Sequence, residues 1–150
     1  MPAPPRRDLA AMIVPLGRAL TAAELPVLRE HGLTMWAYSV LLRLDAAPLR
    51  SQAALAEAIG ADKTRIIEVL ADLDERGLIS RTPDPADRRV RLLALTPEGR
   101  RVRDAAQGAI QRREERLLAR HLSQGQRAGL LDALRVLAAL PAAEISDPEP

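Results

Sequence analysis

A mainly α-helical fold with one small β-hairpin is predicted by three features of this sequence. Apolar residues recur at helical spacing over most of the chain, with Ser, Thr, Asp and Gly where such runs begin and end. One stretch breaks that pattern. Asp84-Pro85-Ala86-Asp87-Arg88-Arg89 stands between Leu78-Ile79 and the run from Val90 to Leu95, a turn-forming segment tipped with arginines. Pro, Asp and Ala cannot fill a core there, so this loop is expected to project into solvent. Aromatics are almost absent (one Trp, one Tyr and no Phe), so the core must be built from Leu, Ile, Val and Ala, which favours close helix packing.

The 150 residues are most simply one domain, long enough to bury a real core. The formal charge of the whole chain is only +2, yet seven arginines face three acidic residues between Arg81 and Arg103. The placement of charge therefore points to a polyanion where its total does not. No cysteine is present, which excludes disulfides, thiolate metal sites and thiol redox switching. With two histidines, His31 and His121, no transition-metal site and no cofactor are expected. No phosphate-binding glycine loop, cysteine nucleophile or paired-histidine spacing positions a catalyst, so an enzyme is not expected. Arg6-Arg7 before Leu9 to Leu16 faintly resembles an export signal, but the apolar run is short, holds Pro15 and is followed by Arg18. No stretch approaches the roughly 20 apolar residues of a membrane span, so a soluble, cytoplasmic protein without a membrane partner is expected.

Residues 1–7 are expected to be a disordered, Pro-rich tail. Leu9, Met12, Ile13, Leu16 and Leu20 mark a helical region over about 8–30, which Pro15 and Pro26 are expected to kink or divide in two. Gly32 ends it. Thr34 can cap a helix running to about Asp45 with Trp36, Val40, Leu41 and Leu44, and Pro48 marks the next loop. Ser51 opens a short helix, 52–59, stopped by Gly60. Asp62 caps the next, which reaches Arg76 and stops at Gly77. The hairpin occupies about 78–96. Thr96-Pro97 then starts a helix reaching His121, roughly 37 Å at 1.5 Å per residue, whose sparse apolar positions are Val102, Ala106, Ile110 and Leu117. Ser123 can cap a last helix whose leucines fall on more than one face and so want burial on several sides. Residues 141–150 are expected to be a frayed acidic tail.

The pair 52–59 and 62–76 has the spacing of a helix-turn-helix. Small Ala56 allows a close crossing, Gly60 allows the tight turn, and Ile66 fills the angle. Steps of 100° put Ile66, Val69, Leu70 and Leu73 inward, Thr64 and Glu68 outward, Arg65 and Ile67 on the flanks and Lys63 at the N-terminus. Lys63 and Arg65 can meet guanine or phosphate, and Thr64 a base or phosphate. Ile67 can meet a thymine methyl, and Glu68 can accept from cytosine N4. The bland alternative is a solvated face with a weak Arg65–Glu68 pair of ~0.3 kcal/mol, under which an exposed Ile67 is unnatural. An arginine at the hairpin tip can enter a narrow minor groove, and Asp87 makes sense if it holds a neighbouring guanidinium or closes the turn. A hairpin directly after a helix-turn-helix is the pattern of a DNA-binding winged helix.

With these residues in view, the chain resembles the MarR family of bacterial winged helix-turn-helix regulators over about residues 9–140. The resemblance rests on Ser51-Gln52-Ala53-Ala54-Leu55-Ala56, Asp62-Lys63-Thr64, Leu73-Asp74-Glu75-Arg76-Gly77-Leu78-Ile79, and the hairpin pattern Asp87-x-Arg89 followed by Leu95-Thr96 and Gly99. It implies a homodimer with interleaved terminal helices, in which about 8–46 and 97–140 form the dimerisation region and about 49–96 the winged helix-turn-helix. It implies that two such lobes read a pseudo-palindromic duplex, with Arg89 in the minor groove, Asp87 orienting it and Arg88 on the backbone. Ser51, Gln52 and Arg81 complete the expected DNA-facing set. Ile67 and Glu68 depart from the small hydroxyl residue and arginine often found there, so no operator sequence carries over. The resemblance also implies a small phenolic or anionic effector that releases DNA, with His31, Trp36, Tyr38 and Arg43 as candidate pocket residues. For Trp36 the competing role is a core anchor, and for Arg43 a surface charge. A dimeric, ligand-released repressor is the leading expectation. The alternative is a winged-helix module whose basic hairpin binds an acidic protein without reading DNA.

Overall fold

The structure, a computed structural model, describes residues 1, 5–46, 48–49 and 51–146. Its elements are α1 (Leu9–Glu30), α2 (Met35–Ala46), α3 (Gln52–Ile59), α4 (Lys63–Glu75), β1 (Ile79–Pro83), β2 (Arg91–Leu95), α5 (Pro97–His121), α6 (Gln124–Ala138) and α7 (Ala142–Ser146). Two compact units divide the chain, Met1–Ile110 and Gln111–Pro150, and the boundary falls within α5.

The helix starts follow from side-chain oxygens that accept otherwise orphaned backbone N–H groups. Thr34 accepts from Ala37 at 3.1 Å, Ser51 from Ala54 at 3.0 Å, and Asp62 from Arg65 at 2.7 Å. Ser123 and Gln126 form a reciprocal capping box at the start of α6. Gly60 and Gly77 end α3 and α4 in the left-handed region, both at φ 71°, where a side chain would be strained.

The core of the first unit joins every element in it. Leu28 of α1, Leu41 of α2, Leu55 of α3, and Ile66, Leu70 and Leu73 of α4 are buried together with Leu78, Ile79 and Leu93 of the hairpin. Ala106 and Ile110 add one face of α5. β1 and β2 pair antiparallel from Ile79↔Leu95 to Pro83↔Arg91. Leu49 bonds to the free side of β2, exchanging hydrogen bonds of 3.0 and 2.8 Å with Leu93. The loop expected at Pro48 therefore also supplies a one-residue sheet edge.

The start of α5 is locked onto the hairpin. The Thr96 hydroxyl donates to the Gly77 carbonyl at 2.6 Å and accepts from the Gly99 N–H at 3.0 Å. A Cβ on Gly99 would sit 1.9 Å from the Leu78 carbonyl oxygen, so only glycine fits. Further along α5, Arg100 and Arg103 both pair with Asp45 at the end of α2.

Four expectations are corrected. α1 is one continuous helix with Pro15 and Pro26 inside it, so the prolines do not divide it in two. Both prolines are exposed, so water can satisfy the carbonyls they leave unbonded. By length and composition, α1 is also long and apolar enough to cross a membrane. Its alanines are the reason: Arg18 and Glu24 are the only charges between Leu9 and Val27, and only Val27 and Leu28 are buried. Residues 142–146 form α7 rather than a frayed tail, while 147–150 and residues 2–4 of the N-terminal tail lie outside the described residues. Finally, Asp84 is 6% exposed, although the loop was expected to hold nothing buried.

In the second unit α6 buries no residue, and Leu130, Leu131, Leu134, Val136 and Leu137 are all exposed. Leu9, Met12, Ile13, Val14 and Leu16 of α1 are exposed as well.

Candidate nucleic-acid interface

The first turn of α4 presents Lys63, Thr64 and Arg65 to solvent, because Ile66, Leu70 and Leu73 fix the opposite face in the core. Ile67 is 54% exposed, an apolar side chain set among the polar residues of this face. Glu68 is exposed beside it, and no ion pair joins it to Arg65 among the described residues. The surface beyond turns acidic, with Asp72 and Glu75 exposed on the same helix. A duplex can therefore approach the N-terminal turn closely, whereas the C-terminal half would repel its phosphates.

The hairpin tip is ordered by its own aspartates. Asp84 donates its backbone N–H to the Val90 carbonyl at 2.8 Å, and its Oδ1 accepts from the Ala86 N–H at 2.9 Å. This turn closure accounts for the burial of Asp84. Asp87 Oδ1 accepts from the backbone N–H of Arg89 and from its Nε, both at 3.1 Å, and Oδ2 accepts from Nη2 at 3.3 Å. The Arg89 side chain nevertheless stays 90% exposed. A guanidinium held by one edge and presented to solvent by the other is preorganised for an anionic partner. Arg88 is exposed next to it.

Between α3 and the hairpin lies a groove of about 370 Å³ lined by Ser51, Gln52, Arg81, Arg89, Val90, Arg91 and Leu93. It joins three guanidinium side chains to the N-terminus of a capped helix, which suits phosphate. Arg81 is half-buried, with Nε 3.6 Å from Asp74 Oδ2, and so also braces β1 against α4. Arg91 was counted in the charge of this stretch but not singled out. Its position at the exposed end of an alternating strand was the available signal.

The four candidate pocket residues are placed differently. Trp36 lines a hollow of about 220 Å³ with Thr34, Ala37, Arg65, Glu68, Val69 and Asp72. It is half-buried rather than a core anchor. Tyr38, two positions on and so on another side of α2, takes the core place at 6% exposure. His31 Nδ1 lies 2.9 Å from the Val27 carbonyl within α1, and Arg43 is half-buried near the end of α2.

A capped helix pair, an exposed basic N-terminal turn and an arginine-tipped hairpin directly after it define a winged helix-turn-helix protein. Residues 31–90 match the MarR family profile. The chain is 33% identical over 132 residues to a putative transcriptional regulatory protein for the hcr operon of Thauera aromatica, spanning 88% of this chain and 75% of that protein. It is 40% identical over 74 residues to the transcriptional regulator HosA of Escherichia coli, 49% of this chain and about half (55%) of that one. Among solved structures it is similar to CouR from Rhodococcus jostii RHA1 bound to p-coumaroyl-CoA, at 29% identity and a TM-score of 0.69, covering 95% of this chain and 94% of CouR. CouR bound to a 23-mer DNA duplex aligns at 32% identity and a TM-score of 0.69, over 87% of this chain and 92% of that one. The chain belongs to the MarR family of transcriptional regulators.

Proposed function

We propose that this chain is a cytoplasmic, homodimeric repressor that binds a pseudo-palindromic operator and is released by a phenolic, anionic effector. The observation that carries the DNA reading is the Asp87–Arg89 clasp at the hairpin tip, beside the exposed turn of Lys63, Thr64 and Arg65. Arg89 enters the minor groove, while that turn and Ile67 meet base edges in the major groove. Glu68 accepts from a cytosine amino group. Ser51, Gln52, Arg81, Arg88 and Arg91 hold backbone phosphates and set the register. CouR, similar over 87% of this chain and solved on a 23-mer DNA duplex, supports the DNA reading.

Dimerisation is supported by the uncovered apolar residues of α1 and α6, which a single chain leaves in water. The effector class is supported by CouR, whose ligand p-coumaroyl-CoA is both phenolic and anionic. The experiment is a titration of the purified protein against labelled duplex from upstream of its own gene, with random duplex as competitor and salt varied. Saturable binding, about a thousandfold or more tighter than to random duplex and steeply salt-dependent, is the expected result. Equal, weak affinity for every duplex, together with capture of an acidic protein by the hairpin, would replace this reading with that of a protein-interaction module.

A further inference from the structure

The second half of α5 carries charge for which DNA reading has no use. Arg113, Arg116 and Arg120 follow at i, i+3 and i+7, so they fall on one side of the helix, and with Leu117 they line an open hollow of about 320 Å³. Along the axis they span about 10 Å at 1.5 Å per residue. Among the described residues none of the three makes an ion pair or a side-chain hydrogen bond. Arginines earlier on the same helix behave otherwise, Arg100 and Arg103 pairing with Asp45 and Arg101 with Glu98. Glu114 and Glu115 are turned about 100° and 200° away from Arg113 and do not neutralise the stripe.

Helix stability does not account for this arrangement. Like charges three and four residues apart destabilise a helix. The helix dipole compensates only within the last turn, which holds Arg120 but neither Arg113 nor Arg116. Guanidinium groups bind phosphate oxygens in bidentate fashion, and a row of three offers places for two or more phosphates. A simple phenolic carboxylate can use only one of them. Leu117, exposed among the arginines, adds an apolar floor for a flat or aliphatic group.

We propose that the Arg113–Arg116–Arg120 stripe binds the oligophosphate part of the effector, which is accordingly a coenzyme A thioester rather than a free phenolic acid. This rests on the effector reading above and deepens it. The stripe holds the phosphates, and Leu117 meets the apolar part of the same molecule.

The test is calorimetric titration of the full chain, without DNA, using coenzyme A, p-coumaroyl-CoA and p-coumarate as probes. The wild type and the variants R113A/R116A/R120A and R116Q are compared, with thermal midpoint and oligomeric state recorded for each. Coenzyme A and its thioester should bind the wild type, the thioester about tenfold or more tighter than p-coumarate. The triple variant should lose about tenfold or more for both coenzyme A probes, and R116Q should lose part of that, with folding and assembly unchanged. Indifference to coenzyme A, or equal binding by wild type and R116Q, overturns the proposal. So does a triple variant that turns monomeric, which would place the stripe between two copies, or one that loses affinity for DNA without ligand. Coenzyme A binding by a chain that recognises no operator would uphold the stripe and refute the repressor. Operator release by p-coumarate alone would do the reverse.

Discussion

The Asp87 carboxylate holds the Arg89 guanidinium along one edge, with Oδ1 3.1 Å from Nε and Oδ2 3.3 Å from Nη2. This contact separates two accounts of the hairpin. If charge alone matters, removing Asp87 makes the tip more positive and strengthens DNA binding. If position matters, Asp87→Ala weakens binding although the net charge rises. We expect weakening, and Arg89→Ala should cost on the order of 1–3 kcal/mol of operator affinity with folding and assembly unchanged. Operator titrations of both variants at two salt concentrations decide it, and a tighter D87A variant would refute the positioning role.

Gly99 should tolerate no side chain. Its Cβ would stand 1.9 Å from the Leu78 carbonyl oxygen, part of the backbone and unable to swing aside. Gly99→Ala is expected to destabilise by at least about 1–3 kcal/mol, the usual range for overpacking. Thr96→Val keeps the shape but loses both hydroxyl bonds, and should cost about 1–2 kcal/mol as a lost helix cap. Urea denaturation of the two variants measures both. A Gly99→Ala protein as stable as wild type would show that the α5–hairpin contact is loose.

Asp45 should matter more than a surface carboxylate. It pairs with Arg100 and with Arg103, whose side chain is only 12% exposed. Removing it leaves Arg103 with Asp104, a partner more than half exposed, and a long hydrogen bond to Gln107 at 3.4 Å. We expect Asp45→Ala to cost about 1–3 kcal/mol, the range for a buried polar group that loses a partner. Thermal unfolding of the single and Asp45/Arg103 double variants should show non-additivity, because the two residues form one unit.

The Glu98–Arg101 pair predicts an acid dependence. The hydrogen bond donated by Arg101 holds the Glu98 carboxyl below its usual range, while Glu98 holds the Arg101 guanidinium above its own. Since the folded pKa of Glu98 is depressed, its contribution is fully present above the unfolded value of about 4.3 and fades as pH falls through the folded value. Glu98→Gln should therefore lower stability slightly at neutral pH and leave it unchanged in strong acid. Denaturant midpoints at the two pH values check the sign. A deficit that persists in acid would mean Glu98 acts through something other than its charge.

Local chemistry made much of this molecule legible in its sequence. The caps at Thr34, Ser51, Asp62, Thr96 and Ser123 need only a side-chain oxygen within three residues of the N–H it accepts from. The glycine stops at 60 and 77 need only the left-handed backbone. The Asp87–Arg89 contact spans two residues and was foreseeable for the same reason. What escaped notice depends on distant or environmental facts. Leu49 bonds to Leu93 across 44 positions, and no local pattern marks a one-residue bridge. Asp84 is buried because the turn folds over it, not because aspartate seeks a core. Pro15 and Pro26 fail to divide α1 because exposed carbonyls can turn to water, and exposure cannot be read from spacing alone. Of the candidate pocket residues, Trp36 and Tyr38 go separate ways because two steps along a helix turn the side chain through about 200°.

The Thr96 hydroxyl has a mechanical consequence. A single oxygen atom joins the peptide that terminates α4 to the first turn of the helix leading away from the hairpin. With no room at Gly99 for the chains to slide, neither backbone can be displaced without carrying the other or breaking a hydrogen bond. The angle between α4 and the start of α5 is therefore held by Thr96 and Gly99 together.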